Sequence, residues 1–256
     1  MRREGPDRPL PPGLGTRHSG SVPRPAVLAS IALLLFAIAC APPPADPDPA
    51  LLEAVDWYTG VAGTVDDARA RELLEEAVDR GTPLAVMWRA RVHSTGRMGY
   101  PRDEELARDI AETVIDEVQR AAESRILEAV FLMGTAYDEG LGKPLDPERA
   151  AAWHRRAAER GHVLGAHNLG NAYAAGRGVT EDHELAAEWW TRAADRGDAI
   201  TQLRLGEAHE AGRGVPRDLE RALAWYRRAA AAGNAQALEA VERLARQDGV
   251  SSNQEE

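Results

Sequence analysis

The stretch "LGNAYAAGRGVTEDHELAAEWWTRAADRG", Leu169 to Gly197, decides the fold of this 256-residue chain. It recurs 36 residues later as "LGEAHEAGRGVPRDLERALAWYRRAAAAG", Leu205 to Gly233, and an earlier copy ends in "WHRRAAERG", Trp153 to Gly161. Glycine, aspartate, alanine and tryptophan return in the same columns of all three copies. A period of about 20 to 50 residues is the signature of a stacked repeat protein, in which neighbouring copies bury one another's apolar faces.

Each copy is predicted to form two helices joined by a glycine turn. Glycine ends the first helix because it reaches left-handed backbone angles without a Cβ clash. An aspartate then accepts hydrogen bonds from the free amides of the second helix, and a last glycine ends that helix. The turn glycines are Gly140, Gly176 and Gly212, and the capping aspartates are Asp146, Asp182 and Asp218.

The second helix carries an apolar stripe made of Ala150, Trp153 and Ala157, which are spaced by three and four residues. The stripe predicts that the recurring tryptophans, Trp153 with Trp189 and Trp225, form the core and pack against the first-helix column that holds Gly170. Trp190, which follows a core tryptophan, is predicted to turn partly outward as a candidate contact residue.

Two weaker copies precede the clear ones. Asp66, Ala70 and Gly81 keep the offsets of the later copies, and "YPRDEELARDI" supplies Asp103. From Asp103 to the next capping aspartate there are 43 residues instead of 36, which predicts a second helix longer by two turns. At the other end, Glu242 replaces a column glycine. The last helix is therefore predicted to cap the array, followed by a disordered tail at 247–256.

These columns resemble the Sel-one-like repeat (SLR) family of tetratricopeptide-like helical arrays. The resemblance covers 126–246 well and 51–125 as divergent repeats, with His209 standing where other copies have Tyr137 and Tyr173. It implies an all-α fold, a right-handed α-solenoid of antiparallel helix pairs with about four to five repeats. Similar proteins act mostly as adaptors for partner proteins, so the resemblance implies an interaction scaffold.

The amino-terminal 39 residues resemble an export signal. An apolar run from Ala26 to Ala39 follows Arg17 and Arg24, and its 14 residues are too few to span a bilayer. The run ends in "AIAC", which resembles a bacterial lipobox and predicts lipidation of Cys40. An ordinary secretory signal with an incidental cysteine is the alternative. Prolines then predict an extended linker over 40–50.

This resemblance also implies a location in the bacterial cell envelope. Ala41 after the cysteine is not aspartate, which in lipoproteins of two-membrane bacteria implies the outer membrane, here with the repeats facing the periplasm.

The net charge is −10, and residues 1–39 carry five arginines against Glu4 and Asp7, so the rest of the chain is still more acidic. Such a body is expected to repel nucleic acid.

No pattern for a cofactor, a metal or a catalytic nucleophile stands out. His162 and His167 are five residues apart and are assigned to helix surface rather than to a metal site. The only lysine, Lys143, has Gly140 three residues before it, where a penicillin-binding serine would be required. We therefore predict that the protein is not an enzyme. The alternative is a cell-envelope enzyme, a cell-wall hydrolase or β-lactamase-like protein, with its site between repeats.

First-helix columns that vary between copies predict the binding surface. Leu164, Asn168 and Asn171 are spaced by four and three and lie on one side of the helix. First helices line the concave face of tetratricopeptide-like arrays, so the resemblance implies one groove for a protein or peptide partner. Trp88 and Arg204 are expected to contribute most, because tryptophan and arginine most often carry interface energy. The remaining members are Arg91, Leu132, Thr135 and Glu207. A solvated surface without a ligand is the alternative.

Overall fold

A computed structural model describes residues 47–252, with side chains to residue 246. Cys40, the apolar run and most of the predicted linker lie outside the described residues, as do 253–256. Within the described part there are twelve helices and no strand. They are α1 (Pro49–Thr59), α2 (Asp67–Asp79), α3 (Pro83–Thr95), α4 (Glu104–Glu112), α5 (Ile115–Glu123), α6 (Leu127–Glu139), α7 (Pro147–Glu159), α8 (Val163–Ala175), α9 (His183–Ala194), α10 (Ala199–Ala211), α11 (Leu219–Ala231) and α12 (Ala235–Ser252).

The helices stack as a right-handed α-solenoid, which confirms the predicted fold class. Each first helix packs against the second helix of its own copy and against the second helix of the copy before it. Small side chains and glycines at these contacts let the backbones approach closely. The buried apolar side chains form three clusters, a large one that runs from Leu51 to Leu164 and two smaller ones in the later copies.

The predicted helix ends are confirmed. In all five copies the capping aspartate accepts a hydrogen bond from the amide three residues later, at 2.9–3.0 Å. The glycines that end α6, α8 and α10 are left-handed, with φ of 71°, 62° and 68°. The helical hairpins are therefore set by short-range sequence signals that repeat with the period.

The prediction for the tryptophan column is wrong in part. The ring that packs against the first-helix glycine belongs to the residue after the recurring tryptophan. A Cβ on Gly134, Gly170 or Gly206 would lie within 3.0 Å of His154, Trp190 or Tyr226 respectively. The recurring tryptophans are half-buried, and each lies beneath an arginine three residues later in the helix, at 4.1–4.4 Å from ring centroid to Cζ.

The long second helix predicted after Asp103 is instead two helices. α4 ends at Glu112, and α5 begins at Ile115 after a break at Thr113 and Val114. The Thr113 hydroxyl donates to the Ile110 carbonyl at 2.7 Å, a bond that competes with helix continuation. The break turns the insertion inward, because Ile115 and Val118 of α5 are buried.

The first and last copies touch. The backbone amide of Val65, after α1, donates to the carbonyl of Ala232, after α11, at 2.8 Å. A Cβ on Gly60 would lie 3.3 Å from the Cβ of Ala199, the first residue of α10. The array therefore curls until the turn after α1 rests on the turns before α10 and α12.

The carboxyl-terminal helix runs to Ser252, six residues past the point where a disordered tail was predicted to begin. Glu242, which replaces the column glycine, is exposed on α12. Among the described helices, none combines the length and the apolar character that crossing a membrane requires.

Candidate partner-binding groove

An open groove of about 380 Å³ lies between the copies formed by α8–α9 and α10–α11. The apolar part of its lining consists of small side chains and one indole, and the polar part consists mainly of arginines. The lining residues are Asn171, Ala174, Ala175 and Arg177 from α8 and the turn after it, His183 and Trp190 from α9, Arg204, Glu207 and Ala208 from α10, and Arg213 from the next turn.

Trp190 is held in place in this groove by two contacts. Its ring rests on Gly170, where any side chain would collide with it. Its indole Nε1 donates to the Asn171 Oδ1 at 3.1 Å. The ring is half-buried rather than turned outward, yet one part of it faces the groove. Trp190 is thus both a packing residue and a contact surface.

A buried hydrogen-bond chain continues from Asn171 into the interior. Since Asn171 Oδ1 accepts from Trp190, its Nδ2 donates to His167 Nε2 at 2.9 Å. The proton of His167 then lies on Nδ1, which faces the Thr201 hydroxyl oxygen at 2.7 Å and the Asp198 carboxylate at 3.1 Å. Asp198 is fully buried and also accepts from the Thr201 amide and hydroxyl. This chain fixes the rotamers of Trp190 and Asn171, so the groove wall is pre-organised.

The rim of the groove carries three guanidinium groups. Arg204 pairs with Glu207 at 3.0 Å, and both side chains remain about half exposed. Arg177 reaches the Asp138 carboxylate at 3.5 Å. Arg213 has no carboxylate within ion-pair distance in the described part of the chain. The local charge of the rim is therefore positive, in contrast to the acidic chain as a whole.

A second groove, of about 1160 Å³, extends the first toward α12. Both are lined by Arg204, Glu207 and Arg213, so the two form one continuous channel. In the second groove Arg243 of α12 forms two hydrogen bonds with the Glu210 carboxylate, at 2.6 and 2.8 Å. This ion pair ties the last helix to α10.

The structure brings together only part of the predicted binding surface. Asn171, Arg204 and Glu207 line the groove. Asn168 lies beside it, with its side-chain amide 3.3 Å from His154 Nε2. The prediction that the amino-terminal members line an exposed groove is wrong, because their side chains are in the core. These are Trp88, Arg91, Leu132 and Thr135, and Leu164 of α8 is buried with them.

The physical reason is that aromatic rings fill this end of the concave side. Trp88 has Tyr58 of α1 on one side and Phe131 of α6 on the other, with ring centroids 6.2 and 5.8 Å away. The Arg91 guanidinium covers the Trp88 ring at 4.6 Å. The Trp88 Nε1 donates to the buried Glu128 carboxylate at 2.5 Å. Trp88 therefore anchors the core, not a partner.

Two histidines assigned to the surface are also interior. His162 is the residue that caps α8, accepting from the Gly165 amide, and its Nε2 lies 2.9 Å from Glu128. Burial raises the pKa of the Glu128 carboxyl, but the contact with His162, the hydrogen bond from Trp88 and the nearby Arg91 guanidinium lower it by more. His167 belongs to the chain described above. In the described residues no group of three metal-ligating side chains comes together.

Sequence reasoning missed the polar column at the start of the later first helices. In the last three copies the residue after the glycine that ends the second helix is His162, Asp198 or Asn234, and it caps the following helix through its side chain. Thr82 and Ile126, at the same place in the earlier copies, form no such bond. The signal was present as a polar residue directly after the column glycine. It would have placed His162 and Asp198 at buried positions between copies.

Comparisons with known proteins agree with this architecture. The family model described as Sel1 repeat matches residues 54–82, 83–111, 127–162, 163–198 and 199–234. The unmatched stretch between the second and third matches contains α5, the inserted helix. Proteins built of Sel1 repeats are typically protein-interaction scaffolds.

The solved structures that resemble this chain include two with TM-scores of 0.50 or more. A Sel1 repeat protein from Oxalobacter formigenes is 33% identical, with a TM-score of 0.50, over 70% of this chain and 50% of that one. A protective antigen present in uropathogenic Escherichia coli strains, which displays an SLR fold, is 23% identical, with a TM-score of 0.52, over 78% and 49%. The chain thus spans about half the length of these relatives. The search of curated proteins gave no match. Five matching repeats, which together cover more than half of the sequence, show that the chain belongs to the Sel1 repeat family.

Proposed function

We propose that this protein is a lipid-anchored scaffold of the bacterial cell envelope that binds an extended segment of a partner protein in the groove between α8, α9 and α10. The observation that carries the proposal is the open channel that runs across the first helices of consecutive copies. Two of its wall residues, Trp190 and Asn171, are held by hydrogen bonds, so these side chains lose little conformational freedom on binding.

The composition of the channel suits a peptide. Trp190 and the small side chains of Ala174 and Ala208 offer an apolar floor, while Asn171 and Arg204 offer hydrogen-bond donors. Peptide-binding sites combine apolar anchors with a few placed polar groups in this way. The first-helix positions that vary between copies determine which peptide binds, while the repeated columns determine the fold.

The anchor is proposed from the sequence. An apolar run that ends in "AIAC" would deliver Cys40 as the first residue of the mature protein, and lipid on its thiol would hold the repeats at the outer membrane, facing the periplasm. Mass spectrometry of the membrane fraction should find lipid on Cys40, and Cys40→Ser should release the protein from membranes. A Cys40→Ser protein that is cleaved at the same bond and still sediments with membranes would refute the anchor.

Capture from envelope extracts tests the scaffold function. Asn171→Ala and Arg204→Ala should each weaken capture of the partner by about 1 kcal/mol or more, the usual threshold for an important interface residue. Arg227→Ala is the matched control, because Arg227 is exposed on α11 outside the groove. Circular dichroism would verify folding of each variant. Loss of capture with Arg227→Ala, but not with the two groove variants, would move the interface to the second helices.

A further inference from the structure

The charge of the groove is opposite to that of the chain. Arg177, Arg204 and Arg213 line it against one carboxylate, Glu207, in a protein whose net charge is −10. Arg177 lies on the α8 side of the groove, and Arg204 and Arg213 lie on the α10 side. Two of them are paired, Arg177 with Asp138 and Arg204 with Glu207, so Arg213 supplies the uncompensated charge. A net positive charge in a small groove raises the local concentration of anionic groups and disfavours a lysine or arginine side chain. The rim therefore selects for negative charge.

Arg213 is the group most available to a ligand. Its turn is pressed against α9, because a Cβ on Gly214 would collide with the His183 carbonyl. The backbone position of Arg213 is thus fixed while its side chain stays exposed. Guanidinium groups bind carboxylates through two parallel N–H···O bonds, which makes an arginine in such a place a carboxylate receptor.

The shape of the site indicates how the anion is presented. The groove opens into the second groove through the shared residues Arg204, Glu207 and Arg213. A chain can therefore pass through and continue, so nothing here closes around a free carboxyl terminus. Beside the arginines, Trp190 and Ala208 form an apolar floor that suits one hydrophobic side chain next to the acid.

We propose that the groove binds an internal acidic segment of the partner, in which aspartate or glutamate side chains alternate with apolar ones. Their carboxylates pair with Arg213 and Arg204, and an apolar neighbour packs on Trp190. This inference rests on the proposed scaffold function and specifies the chemistry of its partner.

Fluorescence anisotropy of a defined peptide tests the proposal. The probe is a hexapeptide of alternating glutamate and leucine with an uncharged coumarin dye at its amino end and an amide at its carboxyl end, so that only side-chain carboxylates are present. The purified protein should bind it, and the peptide with glutamine for glutamate should bind at least tenfold more weakly. Binding should also weaken as salt rises, because the ion pairs are near the surface.

Protein variants locate the contact. Arg213→Gln and Arg204→Gln should each weaken binding of the acidic peptide about tenfold, a loss typical of a charged hydrogen bond. Arg213→Lys keeps the charge but loses the paired hydrogen-bond geometry, so its affinity for the acidic peptide should lie between those of the wild type and Arg213→Gln. Arg227→Gln, outside the groove, should bind as the wild type does. Thermal melting verifies that all four variants fold.

Three results would overturn the proposal: equal binding of the glutamine peptide, an equal loss with Arg227→Gln, or no binding of the acidic peptide at all. The last result, combined with capture that depends on Asn171 and Arg204, would refute acidic recognition and leave the scaffold function standing. If the peptide binds through Arg213 but capture of the partner is unchanged in the Asn171 and Arg204 variants, the carboxylate site would be supported and the scaffold function of this groove refuted.

Discussion

Replacing Gly170 with alanine should destabilise the protein mainly because the Trp190 ring occupies the space of the new methyl group. The added Cβ would lie within 3.0 Å of two ring atoms and 3.1 Å from the Ala186 carbonyl oxygen. Overpacking of this kind costs about 1–3 kcal/mol. Displacing the ring from Asn171 adds about 1 kcal/mol, and the better helix propensity of alanine returns about 1 kcal/mol. We expect a net loss of about 1–3 kcal/mol in the free energy of unfolding.

Urea unfolding of four proteins measures this coupling: the wild type, Gly170→Ala, Trp190→Ala and the double variant. In the Trp190→Ala background the ring is gone, so the same glycine substitution should change stability by less than about 0.5 kcal/mol or increase it. The double-mutant cycle should therefore give an interaction energy of about 1–3 kcal/mol, as residues in contact do.

Trp189→Ala supplies the matched control, because the Trp189 ring lies under Arg192 and away from Gly170. In that background Gly170→Ala should cost as much as it does in the wild type. A cycle that shows coupling of Gly170 to Trp189 and none to Trp190 would refute our assignment of the buried ring column.

Three further substitutions test the interior. Trp88→Phe should destabilise the protein by about 2–4 kcal/mol in urea unfolding, because it opens a cavity and removes a hydrogen bond to the buried Glu128 carboxylate; unchanged stability would mean that Trp88 is not a core anchor. Burial lowers the pKa of His154 from 6.5 to about 3, so the unfolded chain takes up the proton first and stability falls as pH drops from 6.5 toward 3. That loss reaches about 2 kcal/mol at pH 5. The His154→Phe variant puts an aromatic ring where other copies have Trp190 and Tyr226. Its free energy of unfolding should fall less between pH 7 and 5 than that of the wild type, and an identical fall would exclude His154 as the cause. Asp182→Ala should cost about 1 kcal/mol by removing a helix cap, and no change in the melting temperature would contradict the cap assignment.

Local features of this fold could be predicted from the sequence because local rules govern them. A glycine such as Gly176 ends a helix by adopting left-handed backbone angles, and an aspartate such as Asp182 caps the next helix. These signals need no knowledge of the neighbouring copy. The repeat period, the helix ends at these glycines and aspartates and the number of copies followed from them, whereas the break between α4 and α5 did not.

The identity of the buried ring depends on contacts between helices. Trp189 and Trp190 are adjacent, and neighbours in a helix differ by about 100° in direction, so an apolar stripe can be drawn through either one. The recurring tryptophan was the more visible column, yet the glycines pack against a column that holds histidine, tryptophan and tyrosine in turn. Its shared property is a ring, not one residue type.

The filled half of the concave side could not be predicted because it depends on how far the array curls. Rotations between copies bring Tyr58 against Trp88 of the next copy, and they accumulate until Val65 meets Ala232 at the other end of the array. Periodicity within each copy does not specify those rotations. The variable columns therefore lie in the core at one end of the array and line the groove at the other.

Site-specific photocrosslinking in intact cells tests the central claim, that a partner segment occupies the groove. A benzophenone amino acid at Ala175, which is exposed and lines the groove, should give a crosslinked partner. The same probe at Ala224, which is exposed on α11 outside the groove, should give none. A crosslink from Ala224 and none from Ala175 would contradict the account.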